Sequence, residues 1–284
     1  MFEVLSNVTL APNLHRMVIR APRVAAARRP GQFVIVRADV LGERIPLTIG
    51  DADVNEGTIT LFVQAVGYST RKIVSVKEGS SLHDVAGPLG RPTRLGDWNR
   101  VACVGGGVGT AVLYTLVKTL FEKGKRITTI IGGRSREYVI LADELALFSE
   151  TLLITTEDGS MGRKGLVTVE LEEVINDPLR APEAVIAAGP VPMMRAVAEL
   201  TRPLGIETIV SLNPIMIDGT GMCGGCRVMV GGEMKFACVD GPEFDGHLVD
   251  FAGLSDRLTT YREQEKNPPH EKSECRLAGG GNLE

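Results

Sequence analysis

Long apolar runs are missing from this sequence, and none reaches the roughly 18 residues that a membrane-crossing helix needs. The first residues, MFEVLSNVTLAPNLHRM, alternate and carry charge where a signal peptide would need an unbroken apolar stretch, so a cytoplasmic location without membrane contact is expected. A basic excess is missing too. The 31 Lys and Arg face 35 Asp and Glu, a formal net charge of -4, which argues against nucleic acid as a partner. Aromatic residues make up 5% of the chain, with one Trp. The 4 histidines, at positions 15, 83, 247 and 270, show no paired spacing and read as surface or packing residues. With no His or carboxylate constellation either, no acid–base catalytic residue is expected.

Glycine is what the chain has in excess. It supplies 33 of 284 residues, against an average usage of roughly 7%, without the G-X-Y period of collagen. Such glycine serves tight turns and close backbone approach to ligands. A hydrophobic content of 44% with 23% charged residues allows real cores, and the length predicts about two domains.

Residues 1–97 carry short β-branched-rich segments separated by Pro, Gly and Asn or Asp: FEVLSNVTL, HRMVIRA, GQFVIVRAD, IPLTIGDAD, GTITLFVQAV and SSLHDVAG. Their regular spacing suggests a small antiparallel barrel. Over 98–210 strand and helix alternate, and the strands are continuous apolar runs such as AVIAAG, the pattern of a parallel doubly wound sheet covered on both faces. The fold class is therefore β-barrel plus α/β. Residues 211–250 crowd glycine and cysteine into short turns, so a metal site could replace a missing core. In 251–284, Phe251, Leu254, Leu258 and Tyr261 form one apolar stripe on a charged helix, expected to dock on this chain or on a partner, followed by a polar tail.

Glycine-rich turns suggest phosphate chemistry. Gly105, Gly106, Gly107 and Gly109, followed by Thr110, lie between an apolar strand and a helix, where bare backbone and unpaired N–H groups can meet a pyrophosphate. The match to G-x-G-x-x-G is incomplete, and an ordinary strand-to-helix turn is the competing reading. Gly132-Gly133-Arg134, Asp158-Gly159 and Gly189-Pro190 end the following strands at the edge where open α/β sheets bind ligands. Arg134 and Arg136 could accommodate a 2′-phosphate, which leaves NADP beside NAD.

The sharpest local pattern is Asp218-Gly-Thr-Gly-Met-Cys223-Gly-Gly-Cys226 with Cys238 beyond it, drawn from five cysteines. With Cys in place of Asp218 it would be the C-x4-C-x2-C…C spacing of a plant-type [2Fe–2S] site. A carboxylate keeps a thiolate's charge but is harder, so iron would bind at an altered potential. A zinc site competes, although no second C-x2-C pair is present. Cys103, in VACVG, reads as an inert core thiol. Cys275, in the tail, is a competing fourth ligand of otherwise unknown role.

The order Arg44-Ile-Pro46-Leu47-Thr48, then Gly67-Tyr-Ser69-Thr70, then Ala86-Gly-Pro-Leu-Gly90, then the glycine-rich βα unit resembles the ferredoxin–NADP reductase superfamily, in which a flavin-binding barrel precedes a nicotinamide-binding domain. With the cysteine cluster the chain resembles dihydroorotate dehydrogenase electron-transfer subunits. The runs Asn213-Pro-Ile-Met-Ile-Asp218 and Phe236-Ala-Cys-Val-Asp-Gly-Pro-Glu-Phe-Asp-Gly-His247 make it similar to the small subunits of NADH-dependent reduced ferredoxin:NADP+ oxidoreductases, also called sulfide dehydrogenases. The resemblance implies FAD on Arg44, Pro46, Leu47, Thr48, Gly67, Ser69 and Thr70. It implies NAD(H) on Gly105, Gly106, Gly107, Gly109 and Thr110, with Arg134, Asp158 and Gly189 nearby, and [2Fe–2S] on Asp218, Cys223, Cys226 and Cys238. It implies as partner a larger flavin and [4Fe–4S] subunit handling NADP(H) and ferredoxin, where electron bifurcation would occur. A dihydroorotate dehydrogenase partner and a polysulfide-reducing enzyme are alternatives, and a zinc-stabilised nucleotide-sensing module is the non-enzymatic one.

Overall fold

The computed structural model describes residues 1–260, so Tyr261, His270 and Cys275 lie outside the described residues. The first third holds β1 (Phe2–Ala11), β2 (Leu14–Arg20), α1 (Pro22–Ala27), β3 (Phe33–Arg37), β4 (Ile45–Asp53), β5 (Thr58–Gln64), α2 (Tyr68–Val74), β6 (Ser81–Leu82) and β7 (Asp84–Leu89). The strands pair antiparallel in the order β6-β1-β2-β5-β4-β3-β7. Only His83 separates β6 from β7, yet they stand at opposite edges, so the sheet curls until its edges nearly meet. The backbone N–H of His83 donates to the Arg37 carbonyl at 3.1 Å and holds that corner. SSLHDVAG, one strand by its sequence, is thus two. Period-2 alternation sends Met17 and Ile19, Val34 and Val36, Leu47 and Ile49, and Ile59, Leu61 and Val63 into one barrel core.

The α/β part follows with β8 (Arg100–Gly106), α3 (Gly109–Glu122), β9 (Arg126–Gly133), α4 (Ala142–Ala146), β10 (Thr151–Thr156), β11 (Arg163–Lys164), α5 (Val167–Asn176), β12 (Ala184–Ala188), α6 (Val191–Thr201) and β13 (Glu207–Ser211). The last elements are β14 (Arg227–Val230), β15 (Glu233–Phe236), α7 (Ala237–Asp240), β16 (Glu243–Asp245) and α8 (Phe251–Thr259). The second sheet runs β11-β10-β9-β8-β12-β13-β16, parallel except for β16. Alternate residues of its central strands enter two cores. Val101, Cys103, Ile127 and Ile186 pack under α3, and Ala102, Val104, Ile130 and Val185 pack under α5, α6 and α8. Burial pushes the Cys103 thiol up to about 12, so it is the inert core thiol expected from VACVG.

The cysteine-rich segment is woven into this body. β16 extends the second sheet by pairing Glu243 with Ser211, and Phe251 and Leu254 of α8 are buried in the second core, so this helix docks on its own chain.

The barrel is fastened to α3 by apolar and charged contacts. Ala11, Leu14 and Phe62 share a core with Leu113, Leu116 and Val117. Beside them Asp51 of β4 receives Lys118 Nζ at 3.0 Å and Arg28 Nη2 at 3.4 Å, while Arg28 Nη1 donates to Thr115 Oγ1 at 2.8 Å. These groups are partly shielded, with Arg28 and Asp51 side chains 15% and 25% exposed. Asp51→Asn leaves two cations short of a charged acceptor and is expected to cost about 2 kcal/mol. Thermal melting, with faster hydrogen exchange confined to the α3–β4 seam, checks it.

Candidate functional site

Strand order reverses between β8 and β12, whose carboxyl ends lie side by side with Gly105 opposite Ala188. The connections leave this point in opposite directions, which opens a crevice there. It widens into a cleft of about 800 Å3 bounded by the glycine turn, the ends of β9, β10, β12 and β13, and the barrel strands β3 and β4. Two glycines of the turn have distinct structural reasons. Gly107 adopts φ +53, a left-handed conformation that glycine takes without strain. At Gly109 a Cβ would collide with the Ala188 carbonyl, so glycine lets α3 start hard against β12. No side chain among the described residues caps that start; the Thr110 and Ala111 N–H groups donate back to the Gly107 and Val108 carbonyls at 3.1 and 3.0 Å, so what the turn offers the cleft is bare glycine backbone at the positive end of α3.

The expected nucleotide and flavin residues divide by strand alternation. Pro46 and Thr48 line the cleft, whereas Leu47 between them belongs to the barrel core. Gly106, Gly107, Gly109, Arg134 and Gly189 line it too. Gly105 and Thr110 lie beneath it, Thr110 being 2% exposed and packed under Gly105. Arg44, Gly67, Ser69 and Thr70 are outside this cleft but near one another. Ser69 Oγ donates to the carboxylate of Glu43, next to Arg44, and Thr70 Oγ1 accepts from the Gly67 N–H at 3.0 Å at the start of α2. Asp158 does not face the cleft. Its carboxylate takes the Ser160 N–H and hydroxyl at 2.9 and 2.6 Å, bonds that hold it below the usual carboxylate range.

Sequence reasoning missed several lining residues. Glu157, one residue from Asp158, faces the cleft, as do Tyr138, Phe33 and Met216. Period-2 alternation through β10 carries the signal for Glu157; Phe33 has none beyond belonging to a strand. Met193 and Met194 divide, the first lining the cleft and the second fully buried in the core.

The four candidate metal donors stand as two pairs. Cys226 and Cys238 are 1% exposed with their sulfurs 3.2 Å apart, and the Asp218 carboxylate accepts the N–H of the exposed Cys223 at 2.8 Å. Among the described residues no three His, Cys, Asp or Glu side chains converge on one point as ligands of a single ion would. Backbone amides already aim at sulfur, Gly225 N–H at Cys223 Sγ and Cys238 N–H at Cys226 Sγ, each at 3.4 Å. Paired donors with N–H groups on the sulfurs are the surroundings a binuclear iron–sulfur cluster uses, so the residues fit that group. The Thr220 amide, then the Cys223 amide, hold the Asp218 carboxyl below its ordinary value, so this candidate donor is anionic. Burial and the neighbouring Cys226 sulfur push the Cys238 thiol up, an effect that a bound metal's charge opposes. Arg257 of α8 donates to the Gly225 carbonyl at 3.0 Å and ties the loop to the helix. Cys226 and Cys238 share a small core with Phe33 and Ile35 of β3, and Phe33 also lines the cleft, so one side chain bridges the two sites.

Comparison with known proteins agrees with this geometry. Residues 213–250 match the iron–sulfur cluster binding domain of dihydroorotate dehydrogenase B, and residues 103–199 match the oxidoreductase NAD-binding domain. A Thermotoga maritima homolog of the dihydroorotate dehydrogenase B (NAD(+)) electron transfer subunit is 46% identical over 264 residues, 93% of each chain. The Fusobacterium nucleatum electron transfer subunit is 32% identical, covering 85% of this chain and 94% of that one. A solved structure of NADH-dependent reduced ferredoxin-NADP oxidoreductase, described for flavin-based electron bifurcation, contains a chain 44% identical to this one. It superposes with a TM-score of 0.88 over 94% of this chain and 95% of that one. The ferredoxin reductase of carbazole 1,9a-dioxygenase, 21% identical with a TM-score of 0.61 over 72% of this chain and 64% of that one, shares the fold. No helix among the described residues is long and apolar enough to cross a membrane. The protein is an oxidoreductase whose cofactor set is FAD, NAD(H) and an iron–sulfur cluster. By fold and by full-length similarity, the chain belongs to the ferredoxin–NADP reductase superfamily, in the family of dihydroorotate dehydrogenase B electron-transfer subunits and their homologues.

Proposed function

We propose that the chain is the small, alpha-type subunit of an NADH-dependent reduced ferredoxin:NADP+ oxidoreductase, passing electrons between NAD(H), FAD and a [2Fe–2S] cluster and a larger partner. Residues 1–97 bind FAD, 98–210 bind NAD(H) and 211–250 hold the cluster, with α8 following it. The observation that carries this reading is Phe33, which lines the cleft, pairs with Thr48 across β3 and β4, and packs in one core with Cys226 and Cys238.

When bound, the flavin supplies the conversion between two-electron hydride chemistry and one-electron transfer. The chain's own residues bind and orient. Arg44 offers a guanidinium, and the start of α2 at Gly67 its amides, to the FAD pyrophosphate. Pro46 and Thr48 border the flavin side of the cleft. Gly106, Gly107 and Gly109 at the start of α3 receive the nicotinamide dinucleotide, with Gly189 packed directly against Gly106 and Gly109 and with Gly105 and Thr110 beneath, while Leu47 backs the flavin side from the barrel core. The apolar packing of Phe33 and Ile35 keeps water out between cleft and cysteines. Asp218, Cys223, Cys226 and Cys238 hold the cluster, and the exposed Cys223 side is where the larger flavin and [4Fe–4S] subunit, which handles NADP(H) and ferredoxin, receives electrons.

An anaerobic visible spectrum with metal analysis tests this. A flavin band with iron and sulfide near two per chain, bleached by NADH, is expected; a colourless zinc protein overturns the reading. Relatives named for dihydroorotate dehydrogenase favour a second reading, in which the partner oxidises dihydroorotate. Co-purification separates the two, because a [4Fe–4S] partner supports the first and an FMN-only partner the second.

A further inference from the structure

The loop after β10 splits its two carboxylates. Thr155 and Glu157 line the cleft, whereas Thr156 and Asp158 turn away, Thr156 Oγ1 donating to the Met161 carbonyl at 2.8 Å and Asp158 closing on Ser160. Two backbone bonds lock this loop to the one after β9: Glu157 N–H to the Gly133 carbonyl at 3.1 Å and Asp158 N–H to the Arg134 carbonyl at 3.2 Å. Glu157 therefore adjoins Gly132-Gly133-Arg134, the end of the strand next to β8. In dinucleotide-binding sheets that strand end meets the adenosine ribose and ordinarily supplies the acid that reads its 2′-hydroxyl. Here the strand itself supplies an arginine. The Arg134 guanidinium lies over the Tyr138 ring, 5.3 Å from its centroid, and the Arg136 guanidinium is occupied by the Ser160 carbonyl at 3.2 Å.

We propose that Glu157, supplied from the third strand, is the specificity-determining carboxylate of the cleft: it accepts the ribose 2′-hydroxyl of NAD(H) and excludes a 2′-phosphate. This rests on the cleft being the dinucleotide site. A hydroxyl donating to a carboxylate forms a charge-assisted bond, whereas a 2′-phosphate brings nearly two negative charges and no donor to the same place. Arg134 pulls the other way in charge. Stacked on Tyr138, it forms with that ring a flat surface suited to adenine, which both dinucleotides share.

The test uses the holoprotein and two redox-inert probes, ADP-ribose and its 2′-phosphorylated form, titrated by calorimetry against wild type, Glu157→Gln and Arg134→Gln. Wild type is expected to bind ADP-ribose at least about tenfold tighter than the phosphorylated probe. Glu157→Gln should shrink that ratio about tenfold, mainly by gaining affinity for the phosphorylated probe, with melting unchanged because the residue is exposed. Arg134→Gln should weaken both probes in parallel. A wild-type preference for the phosphorylated probe, an unchanged ratio in Glu157→Gln, or a loss confined to the phosphorylated probe in Arg134→Gln overturns the assignment. Binding of only ADP-ribose by all three proteins overturns it while leaving the dinucleotide site standing, and binding of neither probe overturns both.

Discussion

Cys226→Ala is expected to lose its iron and sulfide, from about two of each per chain to near zero, because this thiol is one of the two that meet inside the small core behind the cleft. A missing surface ligand can be replaced by water. Cys226, 1% exposed and 3.2 Å from Cys238, has no water to substitute for it, and the Cys238 amide that donates to its sulfur loses its acceptor as well. Binding and folding are coupled in small metal modules, so the substitution should also loosen 213–242, seen as faster hydrogen exchange there while β8–β13 keep their protection. Two controls give the result its meaning. Cys103→Ala lies in the α/β core and should retain full iron. Asp218→Cys swaps one anionic ligand for a softer one and should keep the cluster but move its potential, read by electron paramagnetic resonance during a redox titration. An iron-loaded Cys226→Ala protein with an unchanged spectrum would remove the cluster assignment.

Where the sequence was legible, one physical rule governed the segment. Alternation in β2 to β5 and continuous apolar runs in β8, β9 and β12 reflect burial on one face or on two, and both sheets are where those patterns put them. The hairpin of β14 and β15 returns Cys238 to Cys226, whereas Cys223, three residues away in sequence, stands beside Asp218 instead of joining that pair. What the sequence hid depends on contacts far apart in the chain. His83 looks like the middle of one strand and is instead the corner where the barrel edges meet. Asp158 attracted attention because glycine follows it, but its carboxylate is spent within its own turn, and the residue facing the cleft is Glu157. The run PEFDG looks like an exposed polar turn; it forms β16, an antiparallel strand on a parallel sheet, and no local signal marks that.

Glu243 in that strand leads to the second large effect. Its carboxyl is buried where the barrel, the second sheet and the cysteine segment meet, and burial pushes its pKa from 4.5 to about 8. Ser211 Oγ donates to Oε1 at 3.2 Å, while Oε2 is buried beside Thr93 Oγ1, and these two hydroxyls only partly offset the cost of burial. At neutral pH the folded protein therefore holds a protonated acid, and the unfolded chain an ionised one. The sign follows from linkage. A folded-state pKa above the unfolded value means that the stability this group contributes is full below about 4.5 and is lost as pH rises toward about 8. Glutamine keeps the shape and stays neutral at every pH, so Glu243→Gln escapes that loss. The variant should match wild type near pH 4.5 and exceed it by roughly 3 kcal/mol at pH 7, since each pH unit above 4.5 costs wild type about 1.4 kcal/mol until the folded group itself ionises. The gap should stop growing above about pH 8. Unfolding midpoints of the two proteins measured across this range check it. Parallel pH profiles would show that Glu243 ionises in the folded state as readily as in water, and then water, not a sealed junction, surrounds it.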